Sequence, residues 1–508
     1  MINIEYLLKI LIEQSGSTWI EKNSLKEKML KWKVPHYSLE WAIKKGIVLE
    51  RKMDNFYYYS LPYYDNLEKN AAKNVLRILR AYSPWSSYSN ETLFKYIKEG
   101  EQYYNITLHE QQKAAVIGAV THGLFVITGG PGTGKTAVLK VLTYVLKRLF
   151  FGCIIKFTAP TGKAARRITE STHYSAKTIQ KELKISKEKP KPTLFTDHIL
   201  IVDEISMLDL ELANSLFSAI KDGRKLILVG DVDQLPSVGP GAVLRDLLLS
   251  EVVPYTMLTK TFRQAEDSNL FANILNVRQE NPDFNTGNDF EVYKAMERPE
   301  EQVKQLLDLY LKEMNTYDIH NIALLLPYRK AGDLCSNKMN NIIQEKVNPP
   351  IGKPYLESTL DDNETPVRYS KGDPVIQLEN RDECANGDVG IVLDVNETDK
   401  TMTVQYFNTV VTYEQKELKH QLALAYAISI SKSQGSEYKS CIIGITSEHK
   451  QMLMRNVIYT GITRAKERCV LLQEDIAMMT AIYTDGSYKR ITFFSENLVE
   501  ENEKIKIA

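Results

Sequence analysis

Gly129-Gly130-Pro131-Gly132-Thr133-Gly134-Lys135-Thr136 is the stretch of this sequence that decides the fold. It follows an apolar run, Leu124-Phe125-Val126-Ile127, and precedes a helix-like segment that begins at Ala137. The order is therefore strand, glycine-rich loop and helix, in which backbone N–H groups and the helix N-terminus face a polyphosphate. Lys135 is expected to contact the β- and γ-phosphates, and the Thr136 hydroxyl a Mg²⁺ ion. The stretch predicts a site for a nucleoside triphosphate.

Length and composition exclude several classes of protein. The 508 residues correspond to three or four domains at roughly 150 residues each. Lys plus Arg and Asp plus Glu both total 64, so any polyanion site must be local. The five cysteines form no Cys-x-x-Cys pair, which argues against a disulfide framework and a zinc site. Because no stretch resembles a membrane span or a secretion signal, a cytoplasmic location without membrane contact is expected.

The first 100 residues predict a separate domain. Apolar residues recur at helical spacing from Ile4 to Leu11. Two β-prone runs follow later, Ile47-Val48-Leu49 and Phe56-Tyr57-Tyr58-Tyr59. Helices followed by a strand pair predict a helical, winged-helix-like domain over residues 1–100. A linker edge is expected at Ser83-Pro84-Trp85-Ser86-Ser87.

From residue 105 onward, short apolar runs alternate with helix-like segments. This alternation is typical of parallel sheets covered by helices, with ligands at the carboxyl ends of the strands. The runs are 154–155, 199–202, 226–229, 322–326, 441–445 and 469–472. They predict an α/β fold with two lobes. The predicted bounds are 101–265 for the first lobe, 266–349 and 421–495 for the second, 350–420 for an inserted small β-barrel, and 496–508 for a C-terminal tail.

An apolar run from Ile199 to Val202 ends in two carboxylates, Asp203 and Glu204. Phosphoryl transfer needs one group to hold Mg²⁺ and another to accept a proton from the attacking water. We assign Asp203 to the metal and Glu204 to the proton. Acidic pairs also occur as surface features, and it is the preceding phosphate loop that favours catalysis here. Gln234, after the next apolar run, is a candidate sensor of the γ-phosphate.

Further motifs accompany the phosphate loop in a fixed order along the chain. They are Leu108-His109-Glu110-Gln111-Gln112-Lys113-Ala114-Ala115, Ala159-Pro160-Thr161-Gly162-Lys163-Ala164-Ala165, Asp203-Glu204-Ile205-Ser206-Met207, residues 230–241, residues 258–264, Lys432-Ser433-Gln434-Gly435-Ser436-Glu437 and residues 459–466. This ordered series resembles the RecD-like DNA helicases, superfamily 1 motors that move 5′-to-3′. The likeness covers most of residues 100–495. It implies two RecA-like parallel-sheet domains, an SH3-like barrel as the insertion, and ATP and Mg²⁺ as cofactors.

The resemblance also implies roles for individual residues at the nucleotide. Gln112 would hydrogen-bond the adenine, with its neighbour Gln111 as the other alignment. Arg263 and Arg464 would neutralise charge during cleavage, a contribution of roughly 10³ to 10⁵ in rate in related chemistry. The implied catalytic residues are Lys135, Asp203, Glu204, Gln234, Arg263 and Arg464. The implied nucleotide-binding residues are Gln112, Gly130, Pro131, Gly132, Thr133, Gly134, Lys135, Thr136, Arg263, Gly435 and Arg464.

Contacts to a single DNA strand are implied at loop positions, through phosphates and stacking without base readout. The implied residues are Thr161, Lys163, Ser429, Ser431 and Lys432. Ser429 and Ser431 depart from the Thr and His that the family favours, as Gln180 departs from His. Lysines near residues 184–191 fit either a duplex-splitting hairpin or a solvated loop. Lysines near Trp32 fit an exposed helix face better than a contact with duplex DNA or a partner protein.

The sequence thus predicts an ATP- and Mg²⁺-dependent DNA helicase or translocase of repair or recombination. It would move 5′-to-3′ on single-stranded DNA and act, as a monomer, at duplex junctions with a 5′ tail. Two alternatives stay open. One is a DNA-stimulated ATPase that serves a nuclease, recombination or defence partner without efficient unwinding. The other is a nucleotide-gated binding module, and RNA as the bound strand also stays open.

Overall fold

The computed structural model describes residues 3–81, 88–186, 188–262, 268–358, 366–407, 409–486 and 489–507. The chain divides into two compact units. The first unit consists of Met1–Pro160, Ala164–Arg263 and Gly486–Ala508, and the second of Thr161–Lys163 and Gln264–Asp485. The predicted linker edge at residues 83–87 lies outside the described residues.

The first unit begins with helices and a small antiparallel sheet. In chain order the elements are α1 (Ile4–Ser15), β1 (Ile20–Glu21), α2 (Lys22–Lys31), α3 (His36–Lys44), β2 (Leu49–Met53) and β3 (Phe56–Ser60). The strands pair in the order β1-β3-β2. Helix α1 begins where the Asn3 side chain accepts a hydrogen bond from the Tyr6 N–H at 2.8 Å, and ends at Gly16 in the left-handed conformation. Helix α1 and strand β3 coincide with their predicted runs, whereas β2 overlaps its predicted run only at Leu49 and extends to Met53.

A parallel sheet forms the core of the first unit. Its elements are α4 (Pro62–Arg80), α5 (Asn90–Tyr104), α6 (Glu110–Thr121), β4 (Leu124–Gly129), α7 (Lys135–Leu149), β5 (Ile155–Ala159), α8 (Gly162–Thr172), β6 (Ala176–Thr178), α9 (Ile179–Leu183), β7 (Ile199–Val202), α10 (Leu210–Ala219), β8 (Lys225–Gly230), α11 (Val243–Leu249) and β9 (Tyr255–Leu258). The strand order is β6-β5-β7-β8-β4-β9. Strands β4, β7 and β8 are buried along their whole length, as expected of a sheet with both faces covered.

The second unit contains another parallel sheet and an antiparallel insertion. Its elements are α12 (Asn269–Arg278), β10 (Phe290–Lys294), α13 (Pro299–Met314), β11 (Ile322–Leu326), α14 (Ser336–Val347), β12 (Tyr355–Ser358), β13 (Val367–Ser370), β14 (Pro374–Gln377), β15 (Val389–Asn396), β16 (Thr401–Tyr406), β17 (Thr409–Glu414), α15 (Gln415–Gln421), β18 (Leu422–Leu424), β19 (Ala427–Ser429), β20 (Tyr438–Ile445), α16 (Arg455–Ile462), β21 (Ala465–Gln473) and α17 (Asp475–Ile482). The parallel order is β10-β21-β20-β11-β19, and the insertion forms β17-β16-β15-β14-β18 beside the hairpin β12-β13. The predicted α/β class with parallel sheets is confirmed.

The C-terminal segment returns to the first unit, where α18 (Phe494–Ile507) packs against α4 and α11. The sequence assigned residues up to 495 to the second lobe, whereas the structure groups everything from Gly486 onward with the first unit. The carboxyl group of Glu68 in α4 helps to hold the C-terminal segment to the first unit. It accepts hydrogen bonds from Thr18 Oγ1 at 2.5 Å, Trp19 Nε1 at 3.1 Å and the Phe493 N–H at 3.0 Å. The other domain bounds stay predictions.

Stability is predicted to depend on pH through Glu68. Burial raises the pKa of the Glu68 carboxyl from 4.5 to about 8, although the hydrogen bonds it accepts lower it. Folding therefore takes up a proton, and the free energy of unfolding falls as the pH rises between those two values. We expect Glu68→Gln to remove this dependence. The free energy of unfolding of the variant, relative to that of the wild type, should therefore rise toward pH 8 by at most about 5 kcal/mol.

Urea unfolding between about pH 5 and pH 8 measures this difference. The exposed Glu27 supplies the matched control, since Glu27→Gln should follow the wild type at every pH. A gap between wild type and Glu68→Gln that stays constant across the range would contradict the assignment.

Candidate nucleotide and DNA sites

The phosphate loop joins the end of β4 to the start of α7 and is shaped by its own residues. Gly132 and Gly134 have φ angles of 74° and 80°, a conformation that glycine adopts without strain. Thr133 Oγ1 donates to the Gly130 carbonyl at 2.8 Å. Lys135 Nζ donates to the same carbonyl at 3.0 Å and to that of Gly129 at 2.5 Å. The ammonium group and the start of α7 therefore lie together at the loop, as phosphate binding requires.

Gln112 lies buried against the back of this loop. Its Nε2 donates to the Thr133 carbonyl at 2.9 Å, and its Oε1 accepts from the His109 N–H at 2.8 Å. The first bond ties α6 to the loop, and the second caps the start of α6 itself. The Gln111 side chain instead accepts from the Thr259 N–H at 3.1 Å. The role of Gln112 in binding adenine stays a prediction, and its support of the loop is a contact that the sequence did not reveal.

The acidic pair follows β7 directly. The Asp203 N–H donates to the Thr158 carbonyl at 2.9 Å, and Asp203 Oδ1 accepts from the Glu204 N–H at 2.8 Å. Glu204 adopts φ 55° and ψ 39°, a left-handed conformation that is uncommon for residues other than glycine and that recurs at active sites. Burial, with the negative charge of Glu204, raises the pKa of Asp203 to about 6, while Lys135 acts in the opposite direction.

The donor set of Thr136 and Asp203 fits a magnesium ion. Hydroxyl and carboxylate oxygens are the hard ligands that Mg²⁺ prefers, and substrate phosphates and water complete its shell. A cation would also offset the burial and the repulsion that act on Asp203. Within the described ranges, no group of three or more His, Cys, Asp and Glu side chains could hold a metal by itself. The ion would arrive with the nucleotide, at a site where the protein supplies few ligands.

Gln234 lies in the loop that follows β8, the next strand of the sheet. Its Nε2 donates to Asp231 Oδ2 at 3.3 Å, and its N–H donates to the Asp231 carbonyl at 3.3 Å. Both side chains are buried. The Gln234 amide is thereby fixed at the end of β8. The neighbouring strands β4 and β7 lead into the phosphate loop and Asp203.

Of the two predicted arginines, Arg263 lies outside the described residues, so its role stays a prediction. Arg464 lies in the second unit and is buried. Its guanidinium donates to the carbonyls of Thr460 at 3.0 Å and Ser436 at 3.1 Å, and to Thr463 Oγ1 at 3.0 Å. The structure thus brings Arg464 to the turn that contains Gly435, whose φ is 73°.

Predicted DNA contacts also meet within the second unit. Ser429 ends β19, and its Oγ accepts from the Lys432 N–H at 3.4 Å. Lys432 Nζ donates to Asn386 Oδ1 at 2.6 Å. Ser429 and Lys432 line a small cavity together with Arg329. Burial, together with the charge of Arg329, lowers the pKa of Lys432, as expected where two cations share a partly enclosed site.

Of the other predicted DNA contacts, Lys163 lies at the same turn as Lys432, since they bond to the adjacent residues Gly387 and Asn386. Thr161 and Ser431 are partly exposed. Lys163 Nζ donates to the Gly387 carbonyl at 2.9 Å and to Ser436 Oγ, residues grouped with it in the second unit. Of the lysines near residues 184–191, Lys187 lies outside the described residues and the others are exposed. Exposed lysines are compatible both with a duplex-splitting hairpin and with a solvated loop.

Two family models and several named relatives match this chain. Residues 107–302 match the family model described as an AAA domain, and residues 424–472 match the UvrD-like helicase C-terminal domain. The chain is 31% identical over 421 residues to the ATP-dependent RecD2 DNA helicase of Deinococcus radiodurans, covering 80% of this chain and 54% of that protein. It is 27% identical over 494 residues to the RecBCD enzyme subunit RecD of Haemophilus influenzae, covering 81% of this chain and 75% of that subunit.

The chain belongs to the RecD-like helicase family. It spans about half the length of the Deinococcus relative. Among solved structures, Bacteroides Pif1 bound to single-stranded DNA aligns with a TM-score of 0.45 and 19% identity, covering 79% of this chain and 98% of that one. Pif1 helicase from Candida albicans aligns with a TM-score of 0.43 and 18% identity, covering 79% and 100% respectively.

Arg329 was not among the residues that the sequence singled out. It follows the apolar strand β11 at the carboxyl edge of a parallel sheet, and this position could have revealed it.

Among the helices that the structure describes, none combines the length and the hydropathy of a membrane-crossing segment.

A pair of glycines tests how Gln112 supports the loop. Gly134 and Gly152 have φ angles of 80° and 76°, so alanine at either costs about 1 to 2 kcal/mol of backbone strain. A Cβ at Gly134 would lie 2.2 Å from Gln112 Nε2, whereas around Gly152 the described atoms leave at least 4 Å free. Since only Gly134→Ala displaces the glutamine, we expect it to weaken binding of a non-hydrolysable ATP analogue at least about tenfold.

Calorimetric titration of the analogue measures both variants, with Gly152→Ala expected within about twofold of the wild type. Equal affinities of Gly134→Ala and Gly152→Ala would show that the Gln112 contact does not shape the site.

Proposed function

We propose that this RecD-like chain is an ATP-dependent DNA helicase or translocase that moves 5′-to-3′ along single-stranded DNA. The observation that carries the proposal is the placement of a phosphate loop, an acidic pair and a buried glutamine after adjacent strands of one parallel sheet. The Deinococcus relative, named as an ATP-dependent DNA helicase, supports the helicase part of this proposal.

The proposed chemistry assigns one task to each side chain. Lys135 would bind the phosphates, and Thr136 with Asp203 would hold a Mg²⁺ ion, which would supply charge neutralisation for phosphoryl transfer. Glu204 accepts the proton of the attacking water. Gln234 responds to the γ-phosphate, and Arg263 and Arg464 neutralise the charge that develops during cleavage.

We further propose a single-strand path through the second unit. Arg329, Ser429 and Lys432 line one cavity and offer cationic and hydroxyl donors to phosphate oxygens. Ser431, Thr161 and Lys163 would add further contacts of the same kind. Such donors do not read bases, so binding is independent of sequence.

The finer description of the fold is also a proposal. The parallel sheets are of the RecA-like kind, and the antiparallel insertion is SH3-like. The order α1, β1, α2, α3, β2 and β3 supports a winged-helix-like N-terminal domain. We propose that the isolated chain is a cytoplasmic monomer.

A second candidate function is a motor subunit that serves a nuclease partner without efficient unwinding. The Haemophilus relative, named as a subunit of the RecBCD enzyme, favours this candidate. In both cases single-stranded DNA stimulates the ATPase, and the two candidates differ in strand release.

ATP turnover provides the first test. We expect single-stranded DNA to raise the hydrolysis rate of the wild type severalfold, and Lys135→Ala to lower the stimulated rate at least about a hundredfold, because the phosphates lose their cation. The exposed Lys147, on the same helix α7, supplies the control, and Lys147→Ala should keep the wild-type rate. A rate that DNA does not raise and that Lys135→Ala does not change would refute the motor.

Tailed duplexes test direction and separate the two candidates. With ATP, we expect strand release from a duplex with a 5′ single-stranded tail and little from one with a 3′ tail, because travel toward the junction then follows the 5′-to-3′ direction. Release that prefers the 3′ tail would contradict the proposed direction. DNA-stimulated hydrolysis with release from neither duplex would favour the motor subunit.

A further inference from the structure

The loop that follows Gln234 is held by an arginine from the far end of the chain. Arg490 Nη1 donates to the carbonyls of Gly239 at 3.0 Å and Gly241 at 2.7 Å. It also donates to Ser237 Oγ at 3.2 Å, and Nη2 donates to the Ser237 carbonyl at 2.5 Å. One guanidinium thus bridges the length of this loop, within the first unit.

The same loop is packed from two other sides. The Gly241 N–H donates to the Gly16 carbonyl at 2.8 Å, and the Leu210 N–H donates to the Pro240 carbonyl at 2.9 Å. A Cβ at Gly16 would lie 2.5 Å from the guanidinium carbon of Arg490. The N-terminal helices, α10 and the C-terminal segment therefore converge on the loop.

The segment that carries Arg490 is itself fixed to the first unit. The Ile491 N–H donates to Ser17 Oγ at 3.1 Å, and Thr492 Oγ1 donates to Asp246 Oδ2 at 2.8 Å. Arg245 Nη1 donates to the Arg490 carbonyl at 2.9 Å. These bonds keep the backbone in place even when the Arg490 side chain is altered, so a substitution there acts mainly on the loop.

Arg490 also stands just after the point where the chain leaves the second unit. Asp485, the last residue of that unit, forms an ion pair with Arg455 of the same unit. Residues 486–489 separate this anchor from Arg490. Residues 486–489 are therefore flanked by two arginine contacts. Arg455 binds Asp485 before them, and Arg490 binds the loop after Gln234 on their other side.

The electrostatic setting argues that Arg490 serves placement more than stability. Among the described residues, its hydrogen-bond acceptors are carbonyl and hydroxyl oxygens. Burial and the nearby positive charge of Arg245 lower the pKa of Arg490 to about 10, although the negative charges of Asp209 and Asp246 act in the opposite direction. A partly buried cation without a contacting carboxylate adds little net stability. Its directed hydrogen bonds instead fix the shape of what it binds.

We propose that Arg490 is a positioning residue for Gln234, because it holds the loop that follows this glutamine. Through Arg490, the shape of that loop depends on the segment that returns from the second unit. This inference rests on the proposed function, in which Gln234 responds to the γ-phosphate. Loss of the guanidinium would leave nucleotide binding at Lys135 and Thr136 intact and slow the hydrolytic step.

The test compares Arg490→Met, Arg490→Lys and Arg51→Met in the full chain. Arg51 contacts the same C-terminal segment through Asn497 at 3.1 Å and Glu500 at 2.6 Å but is not bonded to the loop. With saturating single-stranded DNA, we expect Arg490→Met to lower kcat about tenfold or more with KM for ATP changed less than about threefold. Arg490→Lys should recover part of kcat, and Arg51→Met should stay within about twofold of the wild type.

Hydrogen exchange supplies a readout that does not need activity. We expect Arg490→Met to speed exchange of the amides of residues 234–241 and to leave β8 unchanged. If DNA does not stimulate the wild type, the proposed function fails, while Arg490 is still judged by basal hydrolysis and by exchange. Wild-type kcat and exchange in Arg490→Met, or an equal loss of kcat in Arg51→Met, would overturn the inference.

Discussion

The candidate nucleotide site depends on the parallel pairing of β4, β7 and β8. Thr128 pairs with Gly230, and Val202 pairs with Leu228, so the chain leaves these strands at one edge of the sheet. Each strand is buried on both faces and is largely apolar, and the residues proposed to act on the nucleotide follow its end. A slip of one residue would move a carboxylate by about 3.3 Å along its strand, which is more than the length of a metal–oxygen bond. The register of apolar strands therefore sets the geometry of the site.

Local patterns in the sequence were sufficient for this part of the molecule. The phosphate loop, Asp203 and Gln234 follow apolar runs, and a run of four to six apolar residues is visible without knowledge of the fold. The left-handed conformation of Glu204 was not visible, because it results from the turn that leads from β7 into the next helix. Gln112 was assigned to the base by resemblance. Its contact with the Thr133 carbonyl depends on how α6 packs, which no local pattern encodes.

The contacts of the chain ends could not be predicted for a different reason. Glu68 bonds to Phe493, 425 residues away, and Arg490 bonds to Ser237, 253 residues away. Neither residue belongs to a periodic pattern that would reveal its partner, and the continuity of the chain favoured assigning residue 490 to the second lobe. A buried carboxylate that needs three particular donors is satisfied by a single arrangement of the N-terminal helices, α4 and the C-terminal segment. Such contacts select one docking geometry more than they add net stability.

Two of the four places where the chain passes between the units follow or precede residues that are bonded to loops of the candidate nucleotide site. Just before the passage near Arg263, the Phe262 N–H donates to the Gly132 carbonyl of the phosphate loop at 2.8 Å. Just after the passage near Gly486, Arg490 binds the loop that follows Gln234. Beside each of these two passages, one residue of the first unit is thus hydrogen-bonded to a loop of the candidate nucleotide site. A shift of either connecting segment changes the hydrogen-bond geometry of the loop that its neighbouring residue binds. Because coupled equilibria are reciprocal, a nucleotide that fixes one of these loops also restrains the corresponding segment. Coupling between the two units can therefore act through the covalent chain, without a long path of side chains.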